Sequence, residues 1–285
     1  MIPADINQAL VAGANRVGLF GDRLRFFSEV PSTNDVAMGL ASQGAEDGTI
    51  VLAESQTNGR GRRGREWFSP AVAGLYFSII LRGVYSPTIT LMAGVAATEG
   101  IRAATGVPVL IKWPNALVVE GPSGSGKKSK ISKIGGILTE TCQVKGAADA
   151  VVIGIGINVT TTEYPTGFTV QASSLEKEIG KKVERALVFI EVLAAMSEWR
   201  LKMLQGYEHA MLDRWSELAP MSKETQIQWV EGNESRHGVT KGIDNEGALL
   251  VFSNEKIERL WAGDVEWRDS ATQLDSHKGF DVIRN

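Results

Sequence analysis

The apolar positions of the chain follow two different rhythms. Up to about residue 220, short β-branched or apolar runs at Thr49–Ala53, Leu75–Leu81, Val109–Trp113, Ile134–Cys142 and Ala150–Ile157 predict strands. Between them the spacing becomes helical. After Pro31 the apolar positions Val36, Ala37, Leu40 and Ala41 share one helix face, with Ser32 or Thr33 as N-cap. Thr90–Thr105 repeats the pattern and stops at Gly106, Glu184–Gln205 is the longest helical stretch, and His209–Leu218 ends before Pro220. Beyond Met221 the period shortens again: Gln226–Val230, Ala248–Phe252 and Glu258–Trp261 predict strands, with Asp244–Gly247 as a hairpin turn. The expectation is a mixed α/β domain over 1–220, a small all-β module over 221–268, and a polar tail over 269–285. Gly121–Ser132, rich in Gly, Ser and Lys, interrupts two apolar runs and is expected to be a mobile loop.

Composition narrows the class of function. A formal net charge of −3 with 22% charged residues gives no general basic character, so contact with nucleic acid would need a local patch. The N-terminus has no basic segment followed by an apolar core, and no run reaches the ~18 apolar residues of a membrane span. A cytoplasmic protein without a membrane role is expected. The single cysteine, Cys142, excludes an internal disulfide and a Cys-rich metal site, and its apolar strand suits a buried structural thiol. His209, His237 and His277 show no paired ligand spacing, and no metal ligand is assigned. Trp199, Trp215 and Trp229 are expected in packing roles.

The most specific local signal is Gly59-Arg60-Gly61-Arg62-Arg63-Gly64-Arg65, flanked by Gln56 and Trp67. Glycines let backbone amides approach a ligand, and guanidinium forks meet phosphate or carboxylate oxygens. On composition alone a solvated basic loop or a segment for single-stranded nucleic acid is an equal reading. Its place between a strand and the apolar run Leu75–Leu81 favours an anion site. Ile111-Lys112-Trp113-Pro114-Asn115 puts a lysine at the end of a strand, where it supplies a point charge or is a surface lysine on an edge. Lys133-Ile134-Gly135-Gly136-Ile137-Leu138 and Gly154-Ile155-Gly156-Ile157-Asn158 add glycines that permit close approach to a ligand or a neighbouring strand.

In their order, Ser32-Thr33-Asn34, Gln56, the arginine–glycine loop, KWPN, KIGGIL and GIGIN resemble the biotin protein ligase family, and the resemblance runs from about Phe26 to Trp267. It implies an α+β fold: a mixed-sheet catalytic domain of the biotin/lipoate ligase type with a small C-terminal SH3-like β-barrel. It implies biotin contacts at Ser32, Thr33, Asn34, Gln56, Arg60, Arg62, Lys133, Gly135, Gly154 and Gly156. Contacts to ATP or adenylate fall at Arg62, Arg65, Trp67, Lys112, Asn115 and Asn158, and the catalytic set is Lys112, Arg60, Arg62 and Lys133. The implied substrates are biotin and ATP with Mg²⁺, and the partner is a biotin carboxyl carrier protein. A homodimer is implied as well. Only about 30 residues precede Ser32, too few for the DNA-binding module of regulatory members, so no DNA role is expected.

Two features stand apart. Family members usually continue KWPN with aspartate, whereas this chain has Ala116, which raises the expectation of slow turnover with ligand binding retained. Lipoate attachment and a catalytically impaired binding homologue are the alternatives. Gly121–Lys128 nearly matches a phosphate-binding Walker loop, but Lys128 replaces the hydroxyl that would bind Mg²⁺, and a strand rather than a helix follows.

Overall fold

The computed structural model describes residues 1–83, 86–121, 130–143, 149–164, 172–232, 234–261 and 265–268. The chain divides into two compact units, Met1–Pro220 with Asn245–Gly247, and Met221–Asp244 with the residues from Ala248 onward.

In the first unit the element order is α1 (Ala4–Val17), β1 (Leu24–Val30), α2 (Thr33–Ser42), β2 (Ile50–Gln56), β3 (Gly74–Arg82), α3 (Ile89–Thr105), β4 (Leu110–Lys112), β5 (Ala116–Glu120), β6 (Ile131–Cys142), β7 (Ala150–Asn158), α4 (Leu175–Ile179), α5 (Arg185–Leu204) and α6 (Glu208–Leu218). Seven strands form one sheet in the order β1-β2-β3-β7-β6-β5-β4. Only β1 and β2 pair in parallel; α2 supplies the crossover that such a pair requires. The central strands β3 and β7 are buried along nearly their whole length, which is why they read as continuous apolar runs.

The sheet has two different faces. Odd-numbered side chains of β3 pack toward α5, where Phe77 meets Phe189 edge-on at 5.1 Å. On the other face, Ile80, Val152 and Ala150 pack with Ala37 and Ala41 of α2, and Cys142 is buried in the same cluster. Trp199, Trp215 and Trp229 are buried.

The second unit is an antiparallel sheet in the order β11-β10-β9-β8-β12, formed by β8 (Lys223–Glu231), β9 (Glu234–Ile243), β10 (Leu249–Ser253), β11 (Lys256–Leu260) and β12 (Val265–Arg268). This is the expected small SH3-like module, and the β9–β10 connection closes with Asp244 N–H donating to Ala248 O.

Several elements depart from the sequence reading. Strand β1 was not expected because its edge position leaves most residues partly exposed and erases the alternation. Strands β5, β9 and β12 and helices α1 and α4 were also unread. The expected loop over 121–132 ends sooner, because Ile131 and Ser132 already pair with Glu120 and Val119. Residues 122–129, which hold most of that loop and of the Walker-like run, lie outside the described residues, as does the expected polar tail from 269. Among the described residues no helix is long and apolar enough to cross a membrane.

Candidate functional site

One row of paired residues crosses the sheet: Ala53, Tyr76, Gly156, Gly136, Ala116 and Lys112, from β2 to β4. Directly paired residues project to one face. The middle of this row carries almost no side-chain volume, and above it opens a cavity of about 610 Å³. A Cβ on Gly156 would come within 2.5 Å of the Trp67 indole, and one on Gly154 within 2.2 Å of Asn34 Oδ1. The glycines of GIGIN therefore make room on β7 for groups that lean in from other elements.

A β-bulge aims Lys133 into the same space. Leu117 pairs with Gly135 but Val118 pairs with Lys133, so Ile134 is an extra residue on β6. Strict alternation would put Lys133 on the face opposite Gly136; the inserted residue reverses the phase, as bulges do. A Cβ on Gly136 would meet Lys133 Nζ at 3.7 Å, and Nζ lies 5.1 Å from the centre of the Trp67 ring. Burial, with Arg65 and Lys112 nearby, pulls the Lys133 ammonium down to about 8. Lys112 projects from the edge of the row, is lowered by burial, and does not itself line the cavity.

The arginine–glycine segment is a hydrogen-bonded hairpin. Gln56 pairs with Ser69 and Arg60 with Glu66; Trp67 N–H donates to Gly59 O at 2.8 Å and Gly61 N–H to Arg65 O at 2.7 Å. At the tip Arg63 (φ 57°) and Gly64 (φ 72°) are both left-handed, the geometry of a type I′ turn, where glycine at the second position carries no steric cost. Arg62, Arg65 and Trp67 of this hairpin line the cavity.

The opposite wall is the start of α2. Thr33 N–H and Oγ1–H both donate to Gln56 Oε1, at 2.8 and 3.1 Å, and Gln56 Nε2 donates to Ser69 Oγ at 2.7 Å. Ser78 Oγ, fully buried in β3, lies 2.8 Å from Thr33 Oγ1 and donates to Asn34 Oδ1 at 2.6 Å. Ser32 is the N-cap residue of α2 and makes no side-chain capping bond. This wall is held by its own hydrogen bonds, leaving the cavity pre-formed.

Of the residues singled out from the sequence, Ser32, Thr33, Asn34, Gln56, Arg60, Arg62, Arg65, Trp67, Asn115, Lys133, Gly154, Gly156 and Asn158 share the cavity lining. Gly135 does not; its missing Cβ clears Gly156 O and Leu117 between strands, and Gly136 takes the cavity position. Asn115 and Asn158 each donate an amide N–H to backbone, Asn115 to Ile137 O and Asn158 to Ser173 O. The guanidinium of Arg60 turns to carboxylates, with Nη1 and Nη2 on Glu140 at 2.9 and 2.7 Å and Nη2 on Asp35 at 2.7 Å. That pairing raises its already high pKa. Sequence reading missed Ser69, Ser78 and Glu140, and named Gly136 only as part of its motif. Ser78 carried a usable signal, a lone polar residue in the apolar run Leu75–Leu81; Glu140, between Thr139 and Thr141, carried none.

Among the described residues no three His, Cys, Asp or Glu side chains gather to hold a metal ion.

The Biotin/lipoate A/B protein ligase family model matches residues 26–158, the stretch that carries β1 from Phe26, the other strands through β7 and every cavity element described above. The bifunctional ligase/repressor BirA of Bacillus subtilis is 32% identical over 271 residues, covering 93% of this chain and 80% of that protein. The biotin–[acetyl-CoA-carboxylase] ligase of Mycobacterium tuberculosis is 27% identical, covering 85% and 88%. The biotin protein ligase from Aquifex aeolicus, solved in complex with biotin and ATP, superposes with a TM-score of 0.72 at 26% identity over 87% of this chain and all of that one. Shared fold, shared site-bearing segment and identity sustained across most of both sequences place this chain in the biotin protein ligases of the biotin/lipoate A/B protein ligase family.

Proposed function

We propose that this chain activates biotin with ATP to biotinyl-5′-adenylate and transfers the biotinyl group to one lysine of a biotin carboxyl carrier protein. The observation that carries it is the polarity of the cavity. One wall is a rigid set of neutral hydrogen-bonding groups, Ser32 to Asn34 with Gln56, and the other presents the cations Lys133, Arg62 and Arg65. A ligand with a neutral polar head and a carboxylate tail fits that order.

The chemistry follows from the groups present. Biotin's carboxylate attacks the α-phosphorus of ATP and pyrophosphate leaves; Lys133 and the hairpin arginines stabilise the negative charge on the reacting oxygens. No protein nucleophile is required, and Mg²⁺ belongs to the nucleotide substrate. In the second step the neutral amine of the carrier lysine attacks the acyl carbon, its proton is lost to solvent or to a base, and AMP leaves. Trp67 and the hairpin shield the mixed anhydride from water until the carrier arrives. We assign Ser32, Thr33, Asn34 and Gln56 to the biotin head, Lys133 to the carboxylate, Arg62 and Arg65 to the phosphates, and Lys112 to the outer phosphates from the end of the row. Trp67 Nε1, buried with no hydrogen-bond partner among the described residues, is a donor for the ligand.

The related proteins named above are biotin enzymes, which favours biotin over lipoate. Action without DNA, supported by the acidic net charge, homodimer formation and a cytoplasmic location belong to the same proposal. The test is mass spectrometry of a carrier domain incubated with the protein, biotin, ATP and Mg²⁺, with pyrophosphate followed in parallel. Biotin on one carrier lysine is expected. Lipoate in its place, or no pyrophosphate, would overturn the reading.

A further inference from the structure

We propose that Glu140 is a positioning residue for the ligand cavity, one carboxylate that holds both the arginine hairpin and the first turn of α2. The inference rests on the ligase reading above and adds a residue to it. Glu140 does not line the cavity. It projects from β6 on the cavity face, in phase with Gly136 and Leu138, and binds three groups that belong to the walls. Its two oxygens take the fork of Arg60 at 2.9 and 2.7 Å, and Oε2 also accepts from Asn34 Nδ2 at 2.7 Å. Asp35, one residue on from Asn34, closes the ring onto Arg60 at 2.7 Å. The carboxylate thus adds a charged fastening between two elements that also meet through Gln56, a hairpin from the β2–β3 connection and a helix N-terminus.

The same geometry reassigns Arg60. Both terminal nitrogens are committed to carboxylates, which leaves no complete fork for a phosphate, only the single donor Nε, buried and without a hydrogen-bond partner among the described residues. Arg60 serves the site by fixing the base of the hairpin, and the tip residues Arg62 and Arg65 are thereby carried to the cavity. The ring is partly shielded, with about a third of the Arg60 side chain and a quarter of Glu140 exposed. A bidentate pair in that setting resists opening more than a solvated surface pair does.

Glu140→Gln keeps the side-chain volume and removes the charge and one acceptor. Three readouts are taken on the full chain: trypsin cleavage at the hairpin tip around Arg62 to Arg65 without ligands, KM and kcat for biotin in pyrophosphate release, and the melting temperature. Tip cleavage about tenfold faster and a biotin KM about tenfold higher are expected, with kcat at saturating biotin changed by less than about threefold. Glu140→Asp recovers part of both losses, and exchanging the pair (R60E with E140R) protects the tip better than either single change. A folded Glu140→Gln protein with wild-type tip cleavage and wild-type KM would overturn the proposal. Should that variant not fold, Arg60→Gln breaks the contact from its more exposed side and is held to the same two readouts. If the wild-type protein releases no pyrophosphate with biotin, the ligase reading fails, while the tip-cleavage comparison still decides whether Glu140 holds the hairpin.

Discussion

The two sides of the cavity are built by different means. The sheet side is set by register: the row from Tyr76 to Lys112 is fixed by strand pairing, and the bulge at Ile134 decides which face Lys133 takes. The hairpin side is set by a left-handed turn and by a carboxylate pair reached across the fold. Register is shared by every residue of a strand and is hard to change one side chain at a time. A hairpin fastened at one ring can be released by a single substitution. This contrast suits a ligase, which needs a constant platform for the reacting groups and a cover that admits first the small substrates and then a carrier protein.

Four substitutions and one pH titration test that contrast, in order of expected effect. Lys133→Met removes the sheet-side cation and should lower the rate of adenylate formation by about 100-fold or more, read as pyrophosphate release. It should also stabilise the fold. The ordinary lysine value of 10.5 falls to about 8 in the folded protein, so burial penalises the charged form. That penalty is complete below pH 8 and disappears as pH rises past the ordinary value; at pH 7 its relief is worth about 1–3 kcal/mol in urea unfolding. A variant both slower and less stable would deny that Lys133 is a buried charge held for chemistry.

Gly156→Val fills the floor under Trp67 and should reduce kcat/KM by about 100-fold through displacement of the hairpin, with the melting temperature lowered by only a few degrees. Wild-type kinetics in this variant would mean that the floor and the indole are not part of one site.

Biotin affinity should fall as pH rises above about 8, because Lys133 loses its proton while the biotin carboxylate stays ionised. Titration calorimetry between pH 7 and 10 reads this directly. Ala116→Asp sharpens the test: residue 116 is paired with Gly136, over which Lys133 lies, so a carboxylate there should move the midpoint up by about one pH unit and speed at least one half-reaction. An unmoved midpoint with wild-type rates would remove any consequence of Ala116. The smallest effect belongs to Arg16→Ala, which breaks an exposed pair with Glu191 between α1 and α5. Stability should change by less than about 0.5 kcal/mol and kinetics not at all.

Much of this arrangement was legible before any coordinates. Period alone located β2, β3, β6, β7, α3 and α5, because buried strands and amphipathic helices carry their environment in their spacing. The site motifs were legible as chemistry, since four arginines among three glycines suit an anion site once they stand between a strand and the apolar run Leu75–Leu81. Three things were not. The edge strand β1 pairs on one side only, so its sequence shows no burial pattern. The bulge at Ile134 depends on the partner strand and leaves no mark in β6 itself, so Gly135 and not Gly136 was assigned to the ligand. The pairing of Arg60, which lines the cavity as its motif implied, could not be foreseen, because nothing local reveals Glu140, 80 residues away.

The extra residue at Ile134 matters through its place in the pairing rather than through its side chain. Ile134 is fully buried, and another aliphatic side chain could stand there with little consequence. Removing the position altogether would restore uninterrupted pairing and leave Lys133 opposite Val118, on the cavity face it already takes. The bulge reconciles an odd spacing with a shared face: Lys133 and Gly136 stand three positions apart and still meet, which the same strand paired without a bulge would not allow.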